Sequence, residues 1–199
     1  MVNQVSVGNK SDLFTELLAD NSRLESSFED VFIGGIQYYF TYSDQYKARN
    51  RNYKFFKGEV ETSGNVIGLF SNGSVDNPAT FAGERYAQFV KTTLDYRRYW
   101  SVGKSDIATR MIVGAGYTYG NSSELPYIKQ YVVGGANSIR AFRLRGLGPG
   151  INVPDESPDA FAAQFVDQTG DIKIELNIEY RFPMFGFFKG AIFADAGNV

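Results

Sequence analysis

The side chains that could do chemistry in this chain are mainly carboxylates, because its 199 residues include no histidine and no cysteine. Two close pairs, Glu59/Glu61 and Glu175/Glu179, are the residue type that works in pairs as general acid and base. The missing residue types exclude Ser-His-Asp and Cys-His nucleophilic catalysis and the usual zinc sites. The glycine clusters lack the Lys-Ser/Thr of a phosphate loop. We therefore predict no enzyme, no catalytic residue, no cofactor and no metal, and we interpret the carboxylates as lining of a polar wall.

The carboxylates lie on segments in which polar and apolar residues alternate, the pattern of a strand with one polar and one apolar face. The clearest segment covers residues 171–182, and its twelve residues exceed the five or six of a typical sandwich strand. Similar alternation or composition predicts strands over residues 31–42, 53–70, 85–100, 105–119 and 188–199. Six long amphipathic strands indicate a membrane barrel, although six are too few to close one.

The composition agrees with strands that have one face in lipid and one in water. Aromatic residues make up 16% of the chain, and no run approaches the eighteen apolar residues of a spanning helix. A net charge of -2 does not favour binding to the phosphates of a nucleic acid. A soluble antiparallel sandwich that binds carbohydrate or protein is the alternative, since period-two alternation also suits such a fold.

The predicted strands are joined alternately by shorter turns and longer loops, as in outer-membrane barrels, whose short turns face the periplasm. The longest loop covers residues 120–170, and residues 10–29 have the leucine spacing and capping residues of a short helix in a loop. These features indicate that residues 1–199 are part of one outer-membrane β-barrel domain. Because no signal peptide is visible at the start and the last residues stand within a strand pattern, we expect an internal piece of a longer chain.

Three motifs follow one another in the last third of the chain. The loop contains G-G-A-N-S-I-R-A-F at residues 134–142, and the strands after it contain N-I-E-Y-R-F-P and F-K-G-A-I-F-A-D-A-G-N-V. In letters, order and spacing these motifs resemble the BamA/TamA superfamily of outer-membrane assembly barrels, the bacterial surface antigen domain, over residues 125–199. The aromatic strands and the predicted helix are most similar to TamA-like lipoproteins of Bacteroidetes.

The resemblance implies that residues 1–199 are part of one C-terminal antiparallel transmembrane barrel domain, whose long loop folds into the lumen. It also implies that the loop arginine, Arg140, meets two wall carboxylates, Glu179 and Asp195. A guanidinium can make two parallel hydrogen bonds to one carboxylate, a geometry that lysine cannot supply. The other residues of the loop motif are Gly134, Gly135, Ile139, Ala141 and Phe142. Ala141 departs from the pattern because the resembled motif has glycine there, so a backbone with positive φ would be strained at this position.

The function implied by the resemblance is the barrel portion of a factor that inserts or translocates outer-membrane proteins. Its expected partners are outer-membrane lipids, unfolded outer-membrane protein clients and periplasmic or lipoprotein accessory subunits. Its expected location is the bacterial outer membrane. A passive porin-like channel or an adhesin barrel is the alternative function.

Overall fold

The computed structural model describes residues 2–5, 30–47, 51–71, 73–150 and 167–199, and these are almost entirely strands and loops. The predicted helix at residues 10–29 lies outside the described residues, as do residues 151–166 of the long loop. The strands are β1 (Val2–Val5), β2 (Val31–Ser43), β3 (Tyr53–Ser63), β4 (Thr80–Phe81), β5 (Glu84–Tyr86), β6 (Phe89–Val102), β7 (Ser105–Thr118), β8 (Ile172–Pro183) and β9 (Lys189–Asn198).

All nine strands belong to one sheet, in the order β4-β5-β2-β3-β6-β7-β8-β9, with β1 also paired to β2. The pairings are antiparallel except that between β2 and β5, which is parallel. In the described part of the chain β9 pairs only with β8, so the sheet is open rather than closed. The predicted all-β, antiparallel fold class is confirmed, and the six long strands, β2, β3 and β6 to β9, form one wall.

The two faces of this wall differ as the alternation predicts. On the outward face Ile174, Leu176 and Ile178 of β8 are 51%, 45% and 55% exposed, although they are among the most apolar side chains of the chain. On the opposite, polar face Glu175 is completely buried under the long loop. The pairings among the six long strands run without a bulge, so each face keeps its character from strand to strand.

Two strand boundaries differ from the sequence prediction. The strand predicted over residues 53–70 ends at Ser63, because Gly64 takes φ 75° and turns the chain into the short helix α1 (Asn65–Gly68). The strand predicted over residues 85–100 is divided into β5 and β6. At the division, the backbone N–H of Gln88 donates to Ser122 Oγ of the long loop instead of to a neighbouring strand.

A small apolar core joins the start of the long loop to the sheet. Leu125 of the loop is 1% exposed and packs with Val31 and Ile33 of β2 and with Ala87 and Phe89. This core lies at the rim from which the long loop emerges, so it fixes how the loop enters the polar face. No helix within the described ranges is long and apolar enough to cross a membrane.

Candidate functional site

The candidate site is the tip of the long loop and the sheet surface beneath it. The tip is a closed turn, in which the Gly135 N–H donates to the Phe142 carbonyl at 2.9 Å and the Ser138 N–H donates to the Gly135 carbonyl at 3.1 Å. Gly134 has φ 104°, and a Cβ there would collide with the Arg143 carbonyl. The double glycine therefore allows the chain to reverse tightly and to present the next residues to the wall.

Arg140 projects from this turn onto the last two strands. Its Nε and Nη2 donate to Asp195 Oδ2 and Oδ1, both at 2.8 Å, and its Nη1 donates to Glu179 Oε2 at 2.6 Å. Its backbone N–H also donates to Asp195 Oδ2, at 3.0 Å. The guanidinium carbon lies 3.6 Å from the centre of the Phe193 ring. One arginine thus binds two carboxylates on neighbouring strands and stacks on Phe193, which is opposite Glu179 in the register of β8 and β9.

The surroundings hold this group in its charged form and in one orientation. The hydrogen bond to Asp195 raises the pKa of the Arg140 guanidinium well above its ordinary value. The Asp195 side chain is only 3% exposed, and it also accepts a hydrogen bond from Asn177 Nδ2 at 3.0 Å. Glu179 shares its other oxygen with Arg181 Nε at 2.5 Å. Each carboxylate is therefore satisfied by a second donor from β8.

Ala141 lies in the left-handed region, with φ 74°. A non-glycine residue in this region is strained by the approach of its Cβ to the following carbonyl. The resembled motif has glycine at this position, so this chain retains the backbone geometry of the turn and carries the strain. Beside it Phe142 is 50% exposed, whereas Ile139 is 4% exposed and lies against Gly197 of β9.

A second contact at the tip involves Glu175, which the sequence analysis treated only as wall lining. Ser138 Oγ accepts a hydrogen bond from the Gly134 N–H at 3.1 Å and donates to Glu175 Oε2 at 2.6 Å. Glu175 also pairs with Lys173 at 3.0 Å and approaches Arg110 at 3.6 Å. Because the partner of Glu175 in the loop is a serine hydroxyl, no pair of opposite charges in the sequence indicates this contact.

The base of the loop is attached to other strands. The Lys129 ammonium pairs with Glu61 of β3, and both side chains are about nine-tenths buried. The Lys91 ammonium of β6 donates to the Lys129 carbonyl at 2.5 Å. Tyr131 lies on Gly114 of β7, and its hydroxyl donates to the Thr92 carbonyl at 2.7 Å. The loop therefore covers the polar face from β3 to β9.

The two arms of the loop are tied together behind the tip. Arg145 Nη1 lies 2.7 Å from Asp167 Oδ2 and 2.7 Å from the Tyr127 hydroxyl. Burial opposes ionisation of Asp167, but the hydrogen bonds from Arg145 and Tyr127 outweigh it and lower the pKa of this carboxyl. The Tyr131 N–H and the Gly170 carbonyl add a backbone hydrogen bond of 2.8 Å. These hydrogen bonds hold the two arms of the loop side by side.

The structure brings Arg140, Glu179 and Asp195 into direct contact. The two carboxylates of the pair Glu59/Glu61 bind separate partners, since Glu59 binds Gln37 and Lys57 whereas Glu61 binds Lys129. Among the described residues no group of three or more acidic residues could hold a metal ion. The chemistry of the site is therefore hydrogen bonding and charge pairing between a loop and a wall.

Comparison with known protein families agrees with this architecture. A sequence model of the Omp85 superfamily domain matches residues 37–199, which include all six long strands except the start of β2. The chain belongs to the Omp85 superfamily. A comparison with curated proteins found no match. Omp85 proteins are outer-membrane proteins that insert or translocate other proteins and are not enzymes, and the resemblance to the BamA/TamA barrels is thereby confirmed at the level of the superfamily.

Proposed function

We propose that this Omp85 chain is the barrel portion of a factor that inserts or translocates proteins at the bacterial outer membrane. The observation that carries the proposal is the attachment of Arg140 to Asp195 and Glu179, which holds a long loop across the polar face of the wall. A factor that opens and closes around a client needs a brace that keeps the wall in one shape.

The proposed location rests on the outward face of the wall. Its exposed apolar residues would be costly in water over so wide a surface, whereas hydrocarbon accepts them without cost. The strands of ten to fourteen residues have the length that a tilted strand needs to cross a bilayer. We propose that residues 1–199 form part of one barrel domain in the outer membrane, with outer-membrane lipid against this face.

The proposed place of the loop is the lumen of the barrel. The loop lies on the face that carries the charged residues, and the charges of its tip match those of the wall, one arginine against two carboxylates. In a site that excludes water, such a pair is stronger than at a surface, and the loss of one partner leaves the other charge buried. We propose that Arg140 fixes the loop to the end of the wall formed by β8 and β9.

The proposed clients are unfolded outer-membrane proteins, delivered with the help of periplasmic or lipoprotein accessory subunits. An incoming client strand would be recognised by backbone hydrogen bonding at a strand edge of the barrel. The loop then acts indirectly, because it keeps the wall rigid while the edge opens.

The test is complementation after depletion of the complete protein. Arg140→Ala is expected to reduce the amount of folded client barrels in the outer membrane at least tenfold, an effect of about 1.4 kcal/mol or more on the braced state. Arg51→Ala is the matched control, because Arg51 pairs with Asp106 next to the connection between β6 and β7, makes no hydrogen bond to the loop tip in the described part of the chain and is half exposed. The control is expected to assemble clients as the wild type does.

Conductance of the purified barrel separates the proposed function from a porin-like channel. The insertion factor is expected to show a small or intermittent conductance with the loop in place. A steady large pore in the wild type, together with normal client assembly after depletion, would refute the proposal and favour the channel.

A further inference from the structure

We infer that the outward face of the wall carries a binding site for the phosphate of an anionic phospholipid, formed by Lys54 of β3 and Arg98 of β6. The two residues are direct partners in the register of β3 and β6. The inference goes beyond the insertion of clients, and it rests on the proposed membrane location of the wall.

The position of these two cations is unusual. The alternation and the unbroken register place them on the outward face of the six long strands, and within those strands they are the only charged residues on that face. The other charged residues of the same strands, such as Lys57 and Arg97, point to the polar face and pair with carboxylates there. A charge on a lipid-facing position is disfavoured at the middle of the bilayer and is tolerated near its interfaces.

The two cations also lie directly opposite each other, and like charges in this arrangement destabilise a sheet. Within the described long strands the outward face holds no carboxylate, and Asp44, in the turn after β2, accepts a hydrogen bond from the Lys54 backbone N–H at 2.6 Å. The Arg98 guanidinium carbon lies 5.6 Å from the centre of the Trp100 ring, a contact that orients the arginine and leaves its charge in place. An anion between the two side chains would remove the repulsion and bind to both.

The depth of the pair matches the headgroup region. Lys54 is the second residue of β3, so it lies next to the turn between β2 and β3. This turn shares its rim with the two-residue connection between β6 and β7 and with the turn between β8 and β9. Short turns of outer-membrane barrels face the periplasm, so the pair would meet the phosphates of the inner leaflet. Trp100 suits this depth, because tryptophan prefers the membrane interface.

The apolar neighbours select a lipid rather than a soluble anion or an acidic peptide. Phe56 and Tyr96, which are partners in the register, lie two residues further along the same face, with Tyr42 of β2 beside them. Tyr42 and Tyr96 are 48% and 38% exposed. A phosphate held by Lys54 and Arg98 would place its acyl chains along these rings. A peptide would instead leave part of this apolar surface uncovered.

The test is lipid retention by the complete protein in nanodiscs that contain phosphatidylglycerol and phosphatidylcholine in equal amounts, measured by native mass spectrometry. The wild type is expected to retain phosphatidylglycerol in preference. Each cation near an anionic surface contributes about fivefold to binding, so the double variant Lys54→Gln/Arg98→Gln is expected to lose about 25-fold in the retention ratio. Lys57→Gln is the matched control, because it removes a charge from the same strand on the opposite face, and it is expected to keep the wild-type ratio.

Folding of each variant is checked by heat-modifiable migration in gels. If the double variant does not fold, the single variant Lys54→Gln, at an exposed position, replaces it, and its retention ratio is expected to fall about fivefold. An unchanged ratio in the folded variant, or an equal loss in Lys57→Gln, would overturn the lipid site and leave the proposed insertion function untouched. A complete protein that does not enter nanodiscs at all would overturn the membrane location and the lipid site together.

Discussion

The tip and the base of the long loop are attached to the same sheet by different forces. At the tip, Arg140 makes directional hydrogen bonds to Asp195 and Glu179, which are on neighbouring strands. At the base, Leu125 is enclosed by apolar side chains, and one buried ion pair, Lys129 with Glu61, lies beside it. Directional bonds define a register, whereas apolar packing supplies stability without strict geometry.

The two attachments are therefore expected to respond differently to the loss of one side chain. Loss of one carboxylate at the tip leaves the Arg140 charge partly buried with one partner fewer, whereas loss of an apolar side chain at the base leaves a cavity whose cost depends on how far the surroundings relax. Each prediction below concerns the unfolding free energy of the complete protein in lipid vesicles, measured in urea.

The largest effect is expected for Asp195→Ala at the tip. The change leaves the Arg140 guanidinium partly desolvated with one carboxylate fewer, and breaking such a buried pair costs about 3 to 5 kcal/mol. The control is Asp106→Ala, whose partner Arg51 is 53% exposed, and an exposed pair is worth at most about 1 kcal/mol. Equal losses in the two variants would contradict the special role of the tip.

The next effect is expected for Leu125→Ala at the base. Removal of a fully buried leucine leaves a cavity and costs about 3 kcal/mol. Ile128→Ala, in the same loop and 47% exposed, is expected to change the unfolding free energy by less than about 0.5 kcal/mol. If Leu125→Ala made the tip accessible to protease before the base, the two attachments would not be independent.

A smaller loss is expected for Gly114→Ala in β7, beneath the middle of the loop. A Cβ at this position would lie 2.6 Å from the Tyr131 ring, and this ring cannot easily move because its hydroxyl binds the Thr92 carbonyl of β6. The added methyl group is therefore expected to lower the unfolding free energy by about 2 kcal/mol. Gly58→Ala is the control, since its Cβ would meet Phe56 at an ordinary 3.4 Å. A neutral Gly114→Ala would show that Tyr131 does not hold the loop.

The smallest effect is a gain in stability for Ala141→Gly. Glycine removes a strain of about 1 to 2 kcal/mol at φ 74°, and the greater freedom of glycine in the unfolded chain offsets about 0.4 to 1 kcal/mol of this, so the net gain is about 0.5 to 1 kcal/mol. Ala136→Gly, in the same turn but without a positive φ, is expected to lose up to about 1 kcal/mol through the greater freedom of the unfolded chain. A loss of stability in Ala141→Gly would mean that the turn is not strained at this position.

The fold could be predicted from sequence because alternation is local. In each of the six long strands, consecutive residues alternate between the polar and the apolar face. The register follows because like faces of neighbouring strands must lie on the same side of the sheet. The strand ends were harder to predict. Gly64 ends β3 because it adopts a positive φ, which its residue type permits but does not require, and β6 begins after Gln88, whose backbone N–H binds Ser122 of the distant loop. Residues 10–29, predicted to form a helix, lie outside the described residues.

The site was predictable only in part. The tip follows a motif in which glycines, an arginine and two carboxylates stand in a recognisable order, and the role of this contact remains a proposal. The base has a weaker signal, because Lys129 is one of several basic residues of the loop, Glu61 is one of several acidic residues of the wall, and the 68 residues between them do not show that these two pair. The contact of Ser138 with Glu175 was missed because a serine in a glycine-rich turn is a common turn former.

The central claim, that Arg140 and Asp195 hold the loop to the wall by direct contact, is tested most directly by a double-mutant cycle. The unfolding free energies of Arg140→Ala, Asp195→Ala and the double variant are measured on the complete protein in the same vesicles. Direct pairing predicts that the loss in the double variant is smaller than the sum of the single losses by about 2 kcal/mol. Additive losses, within about 0.5 kcal/mol, would contradict the account.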